Sequence, residues 1–369
     1  MAGIIPGTLT IDGVTARLQE FRKAWQQAVD APHMPSWKKE LFSFLLTFTD
    51  EEETLPLHTS GTTGPPALIT AGKARLAASA RLTLQHLDLH AGDKALLCLP
   101  VHYIAGKMMV VRALTGHLDL RLTPPAATPA IRENYDFSAM TPHQAASVLR
   151  SAGGREKLAR IKKLLIGGGP LSQELEKALS TLKTDIRHTY GMTETFSHIA
   201  MRKITRPGRS RWFEPLPGIR ISLSVEGTLI VHAPHLSDRP LHTRDLAVTD
   251  GKGRFRITGR SDNIINTGGV KISPEEVEEQ LAKMISPPFF LSSLPDPVLG
   301  ERIVLIVRRK KLSPRDLEEI RRAVEVLPEK ISRPRQVIAL NRFILTPSGK
   351  LQRNDSKTLA REKGTFYDL

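Results

Sequence analysis

Leu57-His58-Thr59-Ser60-Gly61-Thr62-Thr63-Gly64-Pro65-Pro66 sets four hydroxyl side chains around two glycines. Hydroxyls supply hydrogen-bond donors, and glycine lets backbone N–H groups come close to an anion, so this stretch has the chemistry to wrap phosphate oxygens. It is not a Walker A loop, because no Gly-Lys-Ser/Thr follows. By itself it fits a solvated turn as well as a phosphate clamp.

Three further groups of residues lie downstream. Ile166-Gly167-Gly168-Gly169-Pro170-Leu171 offers bare backbone at a strand end, either a platform for a flat base or a tight turn. Thr189-Tyr190-Gly191-Met192-Thr193-Glu194-Thr195 follows the strand expected over 186–189. Its adjacent hydroxyl and carboxylate can address a phosphate oxygen and Mg²⁺ together, since hard cations prefer oxygen ligands. Thr243-Arg244-Asp245, Gly259-Arg260-Ser261-Asp262 and Gly268-Gly269-Val270-Lys271 form the next group, in which Asp245 can accept both hydroxyls of a ribose and Arg260 can hold ribose or phosphate. Last, Thr346-Pro347-Ser348-Gly349-Lys350-Leu351-Gln352-Arg353 presents Lys350 on a loop shaped by proline and glycine.

Taken together and in this order, the segments resemble the core motifs of the adenylate-forming superfamily of acyl- and aryl-CoA synthetases, luciferases and peptide-synthetase adenylation domains. The resemblance runs from Leu57 to Arg353. It implies a large N-terminal α/β domain over 1–259 and a small mobile C-terminal α+β domain over 260–369 that turns about Asp262. It also implies that Thr59, Ser60, Gly61, Thr62, Thr63 and Gly64 hold phosphates, that Gly168 and Gly169 pack the adenine, that Tyr190 stacks on it, and that Gly191 and Met192 belong to the same ATP site. Thr193 matches the phosphate ligand, Glu194 the Mg²⁺ ligand, Asp245 the ribose-binding aspartate, Arg260 its neighbour and Lys350 the catalytic lysine; Gly268 and Gly269 lie on the face offered to coenzyme A. Three features depart from the pattern. Ala67 and Leu68 follow Pro66 where a lysine is usual, Arg244 replaces the usual glycine before Asp245, and the chain starts late relative to typical members, implying an abbreviated N-terminal subdomain.

The local patterns agree with an α/β chain. Val14, Leu18, Phe21, Trp25 and Val29 recur at helical spacing and predict an amphipathic helix over 14–30. Apolar runs at 94–99, 163–166 and 228–231 predict strands, and 171–181 a helix. Beyond Asp262, Ser273-Pro274-Glu275-Glu276 reads as a helix start with Ser273 at the N-cap. Strands at 303–307 and 337–340 and a helix at 314–326 complete a second lobe.

A chain of 369 residues is long for one core and comfortable for two. The single cysteine, Cys98, sits in an apolar run and reads as a buried small hydrophobe, which excludes a disulfide scaffold. The first residues do not resemble a secretory leader and no apolar run is long enough to span a bilayer, so a soluble, reducing, cytoplasmic setting is expected. Fifty-three Lys and Arg against 38 Asp and Glu leave a net charge of +15, which suits ATP and coenzyme A but also suits nucleic acid. The basic residues are scattered and aromatic residues make up only 5% of the chain, so the expected partners are a small carboxylic acid, ATP and coenzyme A rather than nucleic acid.

Among the short members, the chain is similar to the 2-succinylbenzoate-CoA ligases of menaquinone biosynthesis. The segment that lines the acid pocket in the superfamily is matched here by 99–114, which carries His102, Tyr103, Lys107 and Arg112. Lys107 and Arg112 stand five residues apart among small and flexible apolar groups. A fatty acid needs no second cation, whereas 2-succinylbenzoate keeps an aromatic carboxylate that a guanidinium can bind with two hydrogen bonds. The other reading of the pair is that both cations reach solvent from opposite sides of a helix. Other aryl- or acyl-CoA ligases, carrier-protein-loading enzymes and a non-catalytic nucleotide- or nucleic-acid-binding protein are the remaining alternatives; Lys350 argues against the last.

Overall fold

The structure, a computed structural model, describes residues 6–58, 68–346 and 349–369. The chain forms two compact units. Residues 1–221, 231–241 and 251–254 make the first, and residues 222–230, 242–250 and 255–369 the second.

A nine-stranded sheet organises the described residues of the first unit. Its centre is parallel: Asp185–Gly191 pairs with Ile161–Ile166, then come Tyr135–Met140, Lys94–Leu97, Asp119–Leu122 and Thr8–Ile11. Antiparallel strands close both edges, His198–Lys203 and Glu214–Pro215 on one side and Val14–Arg17 on the other. Parallel strands are covered on both faces and so read as continuous apolar runs, as Leu164-Leu165-Ile166 does. Leu96, Leu164 and Ile186 pack with Val148 of the helix Pro142–Arg150 and Leu179 of the helix Gln173–Leu179 in one cluster. Cys98 joins that cluster fully buried, and burial pushes its thiol up to about 12, so it is an inert core residue.

One expected element is corrected. The helix predicted from residue 14 starts at Leu18, and Val14–Arg17 is a strand antiparallel to Thr8–Ile11, with Val14 61% exposed. Asp12 and Gly13 both adopt positive φ and close a two-residue hairpin between Ile11 and Val14. Asp-Gly is the strongest short hairpin signal, and here it overrides the apolar spacing that extends the predicted helix back to Val14.

The antiparallel strands Thr54–His58 and Leu68–Gly72 end in the pairing of His58 with Leu68. Their far end is anchored by Lys73, whose fully buried ammonium donates to Asp50 Oδ1 at 2.5 Å and whose backbone N–H donates to the Glu53 carbonyl at 2.8 Å. A buried lysine needs such a partner, because removing one half of a buried pair typically costs about 3–5 kcal/mol.

In the second unit a six-stranded sheet has Gly300–Arg308 at its middle, antiparallel to Phe289–Asp296 and parallel to Gln336–Leu340. Alternation along this strand separates two cores. Ile303, Leu305 and Val307 join Val277, Leu281 and Ile320 of the helices Pro274–Leu281 and Pro314–Glu325, while Val304 and Ile306 join Ala360 of the helix Arg353–Lys363. The start of the first of these helices falls where expected, but the Ser273 hydroxyl makes no cap bond. It donates to the Thr258 carbonyl at 3.1 Å instead. No helix among the described residues is long and apolar enough to cross a membrane.

Candidate active site

The parallel sheet brings the glycine segment and the Thr189–Thr195 segment together, because Ile161–Ile166 and Asp185–Gly191 are neighbours with Ile166 opposite His188. Thr189 Oγ1 donates to the Ile166 carbonyl at 3.3 Å. A Cβ at Gly167 would collide with that same Thr189 oxygen, so the hydroxyl can keep its bond to Ile166 only with glycine there.

Three residues that the sequence motifs do not include hold this platform. Arg202 donates through Nε to His188 Nδ1 at 3.2 Å and through Nη2 to Glu176 at 2.7 Å. With Nδ1 accepting, the proton of His188 sits on Nε2, which donates to the Gly169 carbonyl at 3.0 Å. Burial and then the Arg202 charge lower the His188 pKa to about 4, so the ring stays neutral. Burial pulls the Glu176 carboxyl upward, yet Arg202 and Arg209 hold it below its ordinary range. Phe213 packs on this group, 5.2 Å from the His188 ring and 5.9 Å from the half-buried Tyr190 ring.

Beyond Tyr190 the chain makes a tight turn. The Met192 N–H donates to Thr195 Oγ1 at 2.9 Å and the Phe196 N–H to the Thr193 carbonyl at 2.9 Å. Thr193 is buried and Glu194 is exposed, so the two adjacent groups face different surroundings. Among the described residues no group of three or more His, Cys, Asp or Glu side chains could hold a metal ion. A lone exposed carboxylate fits Mg²⁺ that takes its other oxygens from water and phosphate, the usual mode for this ion, rather than a protein-caged one.

The acid-pocket residues lie around the helix Ile104–Gly116. His102 is exposed and Tyr103 half-buried, their rings edge to face at 5.2 Å. Lys107 donates to the His102 carbonyl at 3.2 Å and lies 5.7 Å from the Phe44 ring; burial lowers its pKa. Arg112 is 3% exposed, which excludes the reading in which both cations reach solvent. Its Nη2 donates to Ser197 Oγ and lies 3.5 Å from His198 Nδ1, and Nε has no partner among the described residues. His198 Nε2 meets Thr83 Oγ1 at 3.0 Å, and that hydroxyl donates to the Ser79 carbonyl, so His198 is fixed as a neutral ring with Nδ1 turned toward Arg112. Among the described residues every hydrogen-bond partner of the guanidinium is therefore neutral. Burial alone draws Arg112 down to about 9.

In the second unit, Asp245 and Arg260 face each other across the antiparallel strands Leu241–Thr249 and Phe255–Arg260. Arg260 Nη1 donates to Asp245 Oδ1 at 2.8 Å, while its Nε and Nη2 bind both oxygens of Asp262 at 2.9 Å each. Lys350 feels the same charges: burial and the nearby Arg260 lower its pKa, and Asp245 opposes them. The lysine is held by backbone, its N–H donating to Thr346 Oγ1 at 3.0 Å and its carbonyl accepting from the Thr346 N–H at 2.8 Å. Three residues on, Arg353 clasps Glu278 with two hydrogen bonds of 2.8 and 2.7 Å. Gly268 and Gly269 turn between Ile265–Thr267 and Val270–Ile272, both with positive φ. Thr59, Ser60, Gly61, Thr62, Thr63 and Gly64 lie outside the described residues.

Comparison with known proteins places this geometry. The family model described as AMP-binding enzyme matches residues 29–227. A probable 2-succinylbenzoate-CoA ligase of Mycobacterium tuberculosis is 27% identical over 334 residues, covering 82% of this chain and 84% of that protein. A solved acyl-CoA synthetase (AMP-forming)/AMP-acid ligase II-like protein from Dyadobacter fermentans is 30% identical with a TM-score of 0.60, covering 92% of this chain and 98% of its own. The o-succinylbenzoate CoA synthetase of Bacillus subtilis, solved with its acyl-adenylate intermediate, shares the fold at a TM-score of 0.68 and 20% identity over 85% of this chain and 73% of its own. A family match over 29–227 and a relative 30% identical over 92% of the chain lead to one grouping: the chain belongs to the AMP-binding enzyme family and is an adenylate-forming ligase.

Proposed function

We propose that this ligase activates 2-succinylbenzoate with ATP and transfers the acyl group to coenzyme A, releasing AMP and diphosphate. The observation that carries the choice of acid is Arg112. A guanidinium kept out of water with only neutral partners is expensive, and an anionic ligand group would offset it. 2-Succinylbenzoate has such a group to spare, since only its aliphatic carboxylate reacts. The Mycobacterium tuberculosis relative, which carries that ligase's name, supports the same choice.

In the first half-reaction the aliphatic carboxylate attacks the α-phosphorus of ATP, forming the acyl–phosphate bond and expelling diphosphate. Lys350 offsets charge on the transferring oxygens, and the backbone bonds to Thr346 keep its stem in place. Thr193 and the hydroxyls of 59–64 bind phosphate oxygens, Asp245 takes the ribose hydroxyls, and the adenine lies between Tyr190 and the Gly168-Gly169 backbone. Glu194 would hold Mg²⁺, whose charge neutralises phosphate oxygens when it is bound. For the second half-reaction the C-terminal domain turns about Asp262, withdrawing Lys350 and bringing the Gly268-Gly269 turn to the acyl-adenylate. The thiol then attacks the acyl carbon, AMP leaves, and the thiol proton is lost to solvent.

The test is a panel of aliphatic and aromatic carboxylic acids assayed for ATP- and coenzyme A-dependent thioester, read by mass. 2-Succinylbenzoate is expected to give the highest kcat/KM. Preference for a monocarboxylate would overturn the assignment of the acid while leaving the reaction class intact.

A further inference from the structure

Arg244 stands beside the ribose-site aspartate, yet its side chain serves the hinge. Its Nη1 lies 3.6 Å from Asp262 Oδ2, the oxygen that also accepts from Arg260 Nη2. Asp245, Arg260, Asp262 and Arg244 thus form a ladder of alternating charge in which Asp262 is held from two sides. Burial favours the neutral form of Asp262, but Arg260 and then Arg244 keep it ionised, with its pKa below the ordinary range. The backbone is tied as well: the Ser261 N–H donates to the Arg244 carbonyl at 2.8 Å and the Asn263 N–H to the Arg260 carbonyl at 3.1 Å.

The two arginines differ in strength. Arg260 binds Asp262 with two hydrogen bonds at one-third exposure, whereas Arg244 is 65% exposed and makes one longer ion pair. A bidentate pair defines geometry, while an exposed single contact shifts a balance by a small factor that salt can screen. A position that must alternate between two torsions during turnover requires a restraint of the second kind.

We propose that Arg244 is a positioning residue that latches the hinge: its charge biases Asp262 toward the torsion in which Arg260 bridges Asp245 and Asp262. The proposal rests on the reading of Asp262 as the hinge of a two-step ligase.

The test compares the full-length parent with Arg244→Gln and Arg244→Lys. Hydrogen exchange at the Ser261 and Asn263 amides is expected to be about threefold faster in Arg244→Gln, the scale of one exposed ion pair, and near the parent rate in Arg244→Lys. The difference should narrow at about 1 M salt, where the screening length is about 3 Å. In the half-reactions, Arg244→Gln should form acyl-adenylate about threefold more slowly and convert supplied acyl-adenylate to thioester faster. Identical exchange in parent and Arg244→Gln overturns the latch. So does an equal fall in both half-reactions, which marks a merely structural role. Altered exchange in a protein that forms no acyl-adenylate with any acid shows that Arg244 restrains Asp262 but overturns the two-step reading and with it the hinge role.

Discussion

His188 Nε2 donates to the carbonyl of Gly169 at 3.0 Å, and that bond fixes the turn on which the adenine is proposed to lie. The bond needs a proton on Nε2, and in the neutral ring that burial and Arg202 impose this is the tautomer whose Nδ1 accepts from Arg202.

A pH dependence of stability follows from that neutrality. The folded-state pKa of about 4 lies below the ordinary 6.5, so the unfolded chain binds the proton first on acidification. The contribution is whole above pH 6.5 and is lost as the pH falls toward 4, in total on the order of 3 kcal/mol. Denaturant unfolding between those limits should show a shallower pH slope for His188→Gln than for the parent. Equal slopes would mean that His188 takes up its proton without cost.

Lys350→Ala should slow acyl-adenylate formation by about 10²-fold or more, the scale of one positioned electrostatic group. Thioester formation from supplied acyl-adenylate should be largely unaffected. Because the lysine pKa is lowered, its charge is lost at a lower pH than that of a free lysine, so adenylation should decline on the alkaline side below the usual lysine range. Lys350→Arg should remove that decline. Equal loss in both half-reactions would detach Lys350 from the first step.

Glu194→Gln keeps size and removes one charge, so half-maximal adenylation should need more Mg²⁺. An unchanged Mg²⁺ titration would place the metal on other ligands.

Pro at Asp262 fixes φ near −65° and removes a backbone N–H. One half-reaction should then suffer far more than the other, read from adenylate and thioester formation separately. Equal slowing would count against a hinge at this residue.

Much of this arrangement is legible in the sequence because its parts are local. A glycine segment after a strand, a hydroxyl next to a carboxylate, and a lysine in a turn are each contiguous. Asp12-Gly13 is equally legible, but the helical spacing from Val14 competes with it. The residues outside the motifs meet only through topology: Glu176 on a helix, His188 on a parallel strand and Arg202 on its antiparallel neighbour lie next to one another once the sheet is assembled. Arg112 was visible as a cation in an apolar segment, whereas the neutrality of its partners depends on Thr83 and His198, 115 residues apart.

The most direct measurement is single-turnover acyl-adenylate formation by the parent and Arg112→Leu, with 2-succinylbenzoate and with an analogue lacking the aromatic carboxylate. A lost charge-assisted bidentate pair typically costs about 2–5 kcal/mol, so the variant should lose about 10²-fold or more with 2-succinylbenzoate. The analogue should be poor for the parent and lose little further in the variant, since the group that Arg112 recognises is already missing. A parent that handles both acids equally, or a variant that slows both alike, would contradict recognition of the second carboxylate by Arg112.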